Sequence, residues 1–114
     1  MRLPNADRAA VDPAKVRHYL LSPEHPVGRA KARVFAALGY ARADWPALRG
    51  ALLALAREGE AEPGEATAFG QKWTVRGTLG GPAGRAAPVV TAWIVLAGEE
   101  IPRLVTAYPG EGPA

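Results

Sequence analysis

Few side chains in this sequence can do chemistry, and His25 stands out among them. It lies in the stretch Ser22-Pro23-Glu24-His25-Pro26, where prolines restrict the backbone on either side. An imidazole changes charge close to neutral pH, and a stiff loop can hold one where a general acid or base is needed. The same stretch reads equally as a surface turn that asks nothing more of His25. Lys31 falls on the apolar side of a helical pattern with Val34, Phe35 and Leu38. Either its stem lies along the core with the amine at water, or the amine points at a ligand. Lys72, Thr74 and Arg76 alternate along one strand face. Cations and hydroxyls so placed can hold phosphates, and Trp93 on the same face could stack a base. Such alternation also describes any half-exposed strand. His18 sits about 200° around its helix from Val16 and is expected at the surface.

Other chemistries lack their residues. The absence of cysteine removes disulfides, thiolate metal sites and a thiol nucleophile together. Ser22 is the single serine and lies too near His25 in the chain for a Ser-His-Asp triad. Two histidines without helical pairing argue against a metal site. Gly77, Gly80, Gly81 and Gly84 fit neither a Walker loop nor a dinucleotide fingerprint, and they fall in a hairpin instead of opening a helix. No metal and no cofactor are expected.

The elements that must position these residues follow from periodicity. Asp12-Pro13 starts a helix, Val16, Tyr19 and Leu20 fall on one side of it, and Ser22-Pro23 ends it. A second helix runs from Gly28 to Leu38 with Gly39 as its stop. Asp44 caps a third, whose stripe is Trp45, Leu48, Leu52 and Leu55, with Gly59 ending it. Residues 60–70 carry Glu, Pro and Gly without a period and read as a crossing loop. Lys72–Leu79 and Ala86–Leu96 read as a hairpin about Gly80-Gly81-Pro82-Ala83-Gly84, and Pro102–Tyr108 as a further strand. The sequence thus predicts one α+β domain over 1–109, with a helical half (1–59) and an antiparallel meander (71–109), and a flexible tail at 110–114. About three helices pack on one face of three or four strands. Pairing residue 79 with 86 sets Thr74 near Thr91 and Lys72 near Trp93. One face then shows Lys72, Thr74, Arg76, Thr91 and Trp93, and the other buries Trp73, Val75, Leu79, Val90, Ala92 and Ile94.

Composition bounds the setting. Of 114 residues 48% are hydrophobic, and 24 of those are alanine, which suits a modest core. No apolar run approaches the roughly 20 residues of a membrane helix. The N-terminal MRLPNADRAA has no apolar stretch, so neither a secretory signal nor a membrane partner is expected, and the cytoplasm is. The net charge of +3 is uneven: residues 1–49 carry nine Arg/Lys against four Asp/Glu. A basic half can serve a polyanion or be a solvated surface. One Asn and one Gln among 114 residues fit a hot-adapted source, and GC-rich codon usage gives the same bias.

Several stretches together resemble the domain of unknown function 6883 family. They are Leu3-Pro4-Asn5-Ala6, Tyr19 through Pro26, Lys31-Ala32, Gly39-Tyr40, Gly70-Gln71-Lys72-Trp73, Thr91-Ala92-Trp93-Ile94 and Arg103 through Pro109. Such domains look like C-terminal modules of phage head-morphogenesis proteins and polymorphic toxins. Their helices-then-sheet order is similar to the barnase/EndoU/colicin E5/RelE ribonuclease superfold. That resemblance implies metal-independent RNA cleavage by attack of the 2′-hydroxyl on the adjacent phosphorus. It implies His25 as acid or base, Lys72 and Arg76 as phosphate cations, and Thr106 as a phosphate partner oriented by Gln71. Lys31 is a second cation, and Thr91 and Trp93 join Lys31 and Gln71 as nucleic-acid contacts. If residue 97 opposes 103, Thr106 faces Ile94; a one-residue bulge would re-aim it.

The reading that follows is a small bacterial ribonuclease-like domain of toxin ancestry, whose activity the sequence does not decide. Its expected partners are RNA and an immunity-type protein. The alternatives are a non-catalytic module binding nucleic acid or protein on the same sheet face, and a homodimer formed through Val89, Val95 and Val105.

Overall fold

The structure, a computed structural model, describes residues 1–22, 24–25 and 29–110. The expected proline brace (Pro23, Pro26), the Gly28 helix start and residues 111–114 of the tail lie outside the described residues. The protein is α+β, with its helices gathered against a four-stranded antiparallel sheet in the order β1-β2-β3-β4.

The helical half begins where Asp12 caps α1 (Pro13–Lys15), its carboxylate accepting from Ala14 N–H at 2.9 Å. α1 widens at once into a π-helical turn (Val16–Leu20), closed by Leu21 N–H to Val16 O at 2.9 Å. The wider turn buries Val16 and Leu20 while leaving Tyr19 half-buried at the rim. α2 (Arg29–Ala37) ends in paired reversed bonds, Tyr40 N–H to Phe35 O and Gly39 N–H to Ala36 O. Gly39 takes φ 102°, a left-handed conformation that favours glycine at this position. α3 (Trp45–Glu58) follows, burying Leu48, Leu52, Leu55 and Ala56. Asp44 supports its entry differently than expected, accepting from Ala41 N–H at 2.8 Å and capping no α3 amide.

The sheet holds β1 (Glu60–Thr67), β2 (Gly70–Gly80), β3 (Ala86–Leu96) and β4 (Arg103–Pro109). The stretch expected to be a crossing loop is therefore largely a strand. Its side chains gave no alternation because β1 is an edge that buries Ala61 alone and is held by backbone pairing to β2. Pro63 is tolerated there for the same reason.

The β2–β3 register corrects the expected faces. Leu79 pairs with Ala87, Val75 with Thr91 and Trp73 with Trp93, one residue off the expected alignment. The turn closes with Gly81 N–H to Arg85 O at 2.9 Å and Gly84 at φ 78°, leaving five residues between Gly80 and Ala86. With a side-chain period of two, that single slip turns over all of β3. Thr91 and Trp93 are fully buried on the helix side beside Val75 and Leu79, not on an open face. Val90, Ala92 and Ile94 share the other face with Lys72 and Arg76. The indole of Trp93 donates to Thr91 Oγ1 at 2.8 Å, and that hydroxyl donates to Val75 O at 3.0 Å, so both interior polar groups are satisfied. Val89 is likewise in the core, so Val89, Val95 and Val105 do not make one outward dimer patch.

β4 carries the bulge that re-aims Thr106, setting it opposite Ala92 on the sheet face of Lys72 and Arg76 and not on the core side. Ile94 pairs with Arg103 and Trp93 with Leu104, then Ala92 pairs with Thr106, leaving Val105 as the extra residue. Outside β4 the chain at Ala10 pairs with it, Ala10 N–H to Pro102 O at 2.9 Å and Leu104 N–H to Ala10 O at 3.0 Å. This brings Asp12, Lys15 and Tyr19 alongside the bulge.

Candidate functional site

Tyr19 is the centre of the site. Lys15 lies four residues before it, so the helical turn sets its ammonium 5.6 Å from the ring centroid. Lys31 on α2 reaches the same ring at 5.5 Å. The His25 ring meets it edge-on at 5.0 Å and 76°. The phenol oxygen lies 3.1 Å from Thr106 Oγ1 on the bulge of β4. One aromatic ring therefore gathers an imidazole, two ammonium groups and a hydroxyl from four separate segments. Ring faces attract cations electrostatically, so one ring can hold both ammonium groups.

Lys15, Tyr19, His25 and Thr106 line a cleft of about 610 Å³ together with Asp12, Ala14 and Val105, and Lys31 reaches the Tyr19 ring without being part of that lining. Partial burial pushes the Tyr19 phenol up. The hydrogen bonds with Thr106 and Lys31 and the charges of Lys31 and Lys15 outweigh that and leave it below the usual 10.0. Among the described residues no group of three or more His, Cys, Asp or Glu could hold a metal ion. What the cleft offers is proton-transfer groups beside fixed positive charge, the equipment for chemistry on a phosphate or another anion.

Of the residues singled out in the sequence, His25, Lys31 and Thr106 come together here. Lys31 does so by laying its amine over Tyr19. Lys72 and Arg76 do not join them. They stand on β2, on the face turned from α3, with β3 between them and β4. Gln71 is occupied between strands, donating to Gly64 O and Lys72 O at 2.9 Å each, and so does not orient Thr106. Thr91 and Trp93 are interior, which corrects their expected role as nucleic-acid contacts. His18 is exposed, its Nδ1 3.0 Å from Arg42 Nη2.

Sequence reasoning missed Tyr19 and Lys15. Val16, Tyr19 and Leu20 share helical spacing, which puts Tyr19 with the apolar face. The signal that could have found both is the i, i+4 pairing of a lysine with an aromatic that itself carries a polar tip.

No helix among the described residues is long and apolar enough to cross a membrane. No curated protein matches the sequence. Among solved structures, a chain of the contact-dependent growth inhibition toxin–immunity protein complex from Klebsiella pneumoniae 342 is similar, with a TM-score of 0.71 and 17% identity. The match covers 94% of this chain and 97% of that one, and at such low identity it speaks for the fold. The sequence profile described as Domain of unknown function (DUF6883) matches residues 2–111, and the protein belongs to that family.

Proposed function

We propose that this domain is a metal-independent ribonuclease-type module of toxin ancestry, working at the Tyr19 cleft. The observation that carries the reading is the convergence of His25, Lys15, Lys31 and Thr106 on one tyrosine. The similarity to a chain of a toxin–immunity complex supports the ancestry, and the helices-then-sheet order supports the barnase/EndoU/colicin E5/RelE-like superfold. Cleavage of this type needs a base for the 2′-hydroxyl, an acid for the leaving 5′-oxygen, and positive charge for the phosphorane. As the O2′–P bond forms, the 2′ proton passes to one of His25 and Tyr19. As the P–O5′ bond breaks, the other protonates the 5′-oxygen, leaving a 2′,3′-cyclic phosphate. The ammonium groups of Lys15 and Lys31 hold the non-bridging oxygens, and the Thr106 hydroxyl donates to one of them or keeps Tyr19 in place. Lys72, Arg76 and Gln71 have no part in this cleft. A protein partner of immunity type would act by covering it.

The test is purified protein with total RNA in EDTA, beside His25→Ala and Tyr19→Phe. Cleavage to cyclic-phosphate ends that both variants lose supports the reading. RNA left intact by the wild type rejects it, and salt-sensitive binding without cleavage would make the domain a binding module.

A further inference from the structure

The Tyr19 cleft does not end at Lys15. A second depression of about 390 Å³ opens beyond Asp12 and Lys15, which line both. Its other walls include Val11, Arg49, Arg103 and Leu104. The first cleft meets β4 at Val105 and Thr106 and the second at Arg103 and Leu104, so the two lie side by side along that strand with Asp12 and Lys15 between them.

The cations of this extension are held in place by hydrogen bonds. Arg49, half-buried on α3, donates from Nε to Val11 O at 2.8 Å. Among the described residues no carboxylate pairs with it and no acceptor meets its Nη groups. A guanidinium fixed through Nε is oriented without being neutralised. Arg103 donates from Nε and Nη2 to Glu99 Oε1 at 3.3 and 2.8 Å, and among the described residues no acceptor meets its Nη1. Asp12, the carboxylate on the shared wall, is engaged by Ala14 N–H. The planar fork of arginine suits a phosphate better than a lysine point charge does.

We propose that Arg49 and Arg103 form a second phosphate subsite, so that the cleft takes a single RNA strand laid along β4, not a mononucleotide or dinucleotide. The proposal rests on the ribonuclease reading of the Tyr19 cleft. The scissile phosphate would lie at Lys15 and Lys31, and a neighbouring phosphate at Arg49, with Arg103 flanking it.

The probe is a fluorescent 2′-O-methyl RNA decamer, whose blocked 2′-oxygen prevents cleavage, beside a 2′-O-methyl dinucleotide. Arg49→Gln and Arg103→Gln are each expected to weaken decamer binding about fivefold and to flatten the salt dependence of log K by about 0.7 per lost phosphate contact. Dinucleotide affinity should stay within error. The Arg103 side chain is exposed, so its variant keeps the test alive if Arg49→Gln fails to fold. Decamer binding unchanged in folded variants, or lost equally for the dinucleotide, overturns the subsite. Wild-type cleavage of RNA with unchanged decamer binding would remove the subsite and leave the cleft. Decamer binding that falls in both variants while RNA stays intact would remove the chemistry and leave the subsite.

Discussion

The Tyr19 hydroxyl meets the Thr106 hydroxyl at 3.1 Å, tying a π-helical turn in the first quarter of the chain to a bulge in its last strand. Without the bulge a regular β4 would present a different side chain at this place. Without the widened turn Tyr19 would sit at another angle to the sheet. The contact therefore depends on two local irregularities that agree with each other.

Its electrostatic consequence is measurable. The Tyr19 phenol ionises below the usual 10.0, whereas burial holds Tyr40 above it. A spectrophotometric titration should show an early tyrosinate step that disappears in Tyr19→Phe and moves toward higher pH in Lys31→Ala. Between the folded pKa of Tyr19 and 10.0 the unfolded chain binds more protons, so this group adds stability as pH rises through that window. The addition is complete above 10.0 and lost as pH falls through the folded value. Tyr40 has the opposite sign, so the comparison is wild type against Tyr19→Phe. An early step that survives in Tyr19→Phe would refute the assignment.

Cations on the two sides of β3 should differ in effect. Lys31 touches the ring at the centre of the cleft, and Lys72 stands on β2 beyond β3. In the RNA cleavage assay Lys31→Ala is expected to cost about 100-fold, in the range of lost transition-state charge stabilisation, and at least ten times more than Lys72→Ala. Comparable losses would extend the site across the sheet from β4 to β2.

How much of this was legible in the sequence depended on which force placed each part. The α3 stripe of Leu48, Leu52 and Leu55 was readable because burial set its period. β1 was not, because an edge strand with one buried side chain leaves no hydrophobic trace. The helix-side burial of Trp93 was missed by one residue of register. That register follows from the backbone of the Gly80–Arg85 turn, and apolar residues at both odd and even positions of β3 fit either alignment equally. His25, Lys31 and Thr106 stood out as polar groups in unusual positions. Tyr19 looked like core, and half of it is.

The register has its own test in the core. Thr91 links the Trp93 indole to Val75 O, and Thr91 and Trp93 are fully buried. Thr91→Val keeps the volume and removes both bonds, leaving an indole N–H and a carbonyl without this partner. The expected cost is about 1–3 kcal/mol in denaturant unfolding, with the m-value unchanged. A neutral result would mean that Thr91 faces solvent, as the alternative alignment required.

The end of α2 gives the last test. Gly39 adopts φ 102°, and a Cβ there would lie 2.9 Å from the Ala83 Cβ in the β2–β3 turn. The main chain of Ala83 is fixed as well, since its N–H donates to Leu38 O at 3.1 Å. Gly39→Ala must therefore bear a left-handed backbone and a clash with little room to relax. A loss of about 2 kcal/mol or more is expected from strain of this kind. Because Gly39 stops the helix that carries Lys31 and also seats the turn that sets the register, the loss should be accompanied by a weaker early tyrosinate step. A variant that loses stability but keeps that step in full would show the helix end and the Tyr19 cleft to be independent.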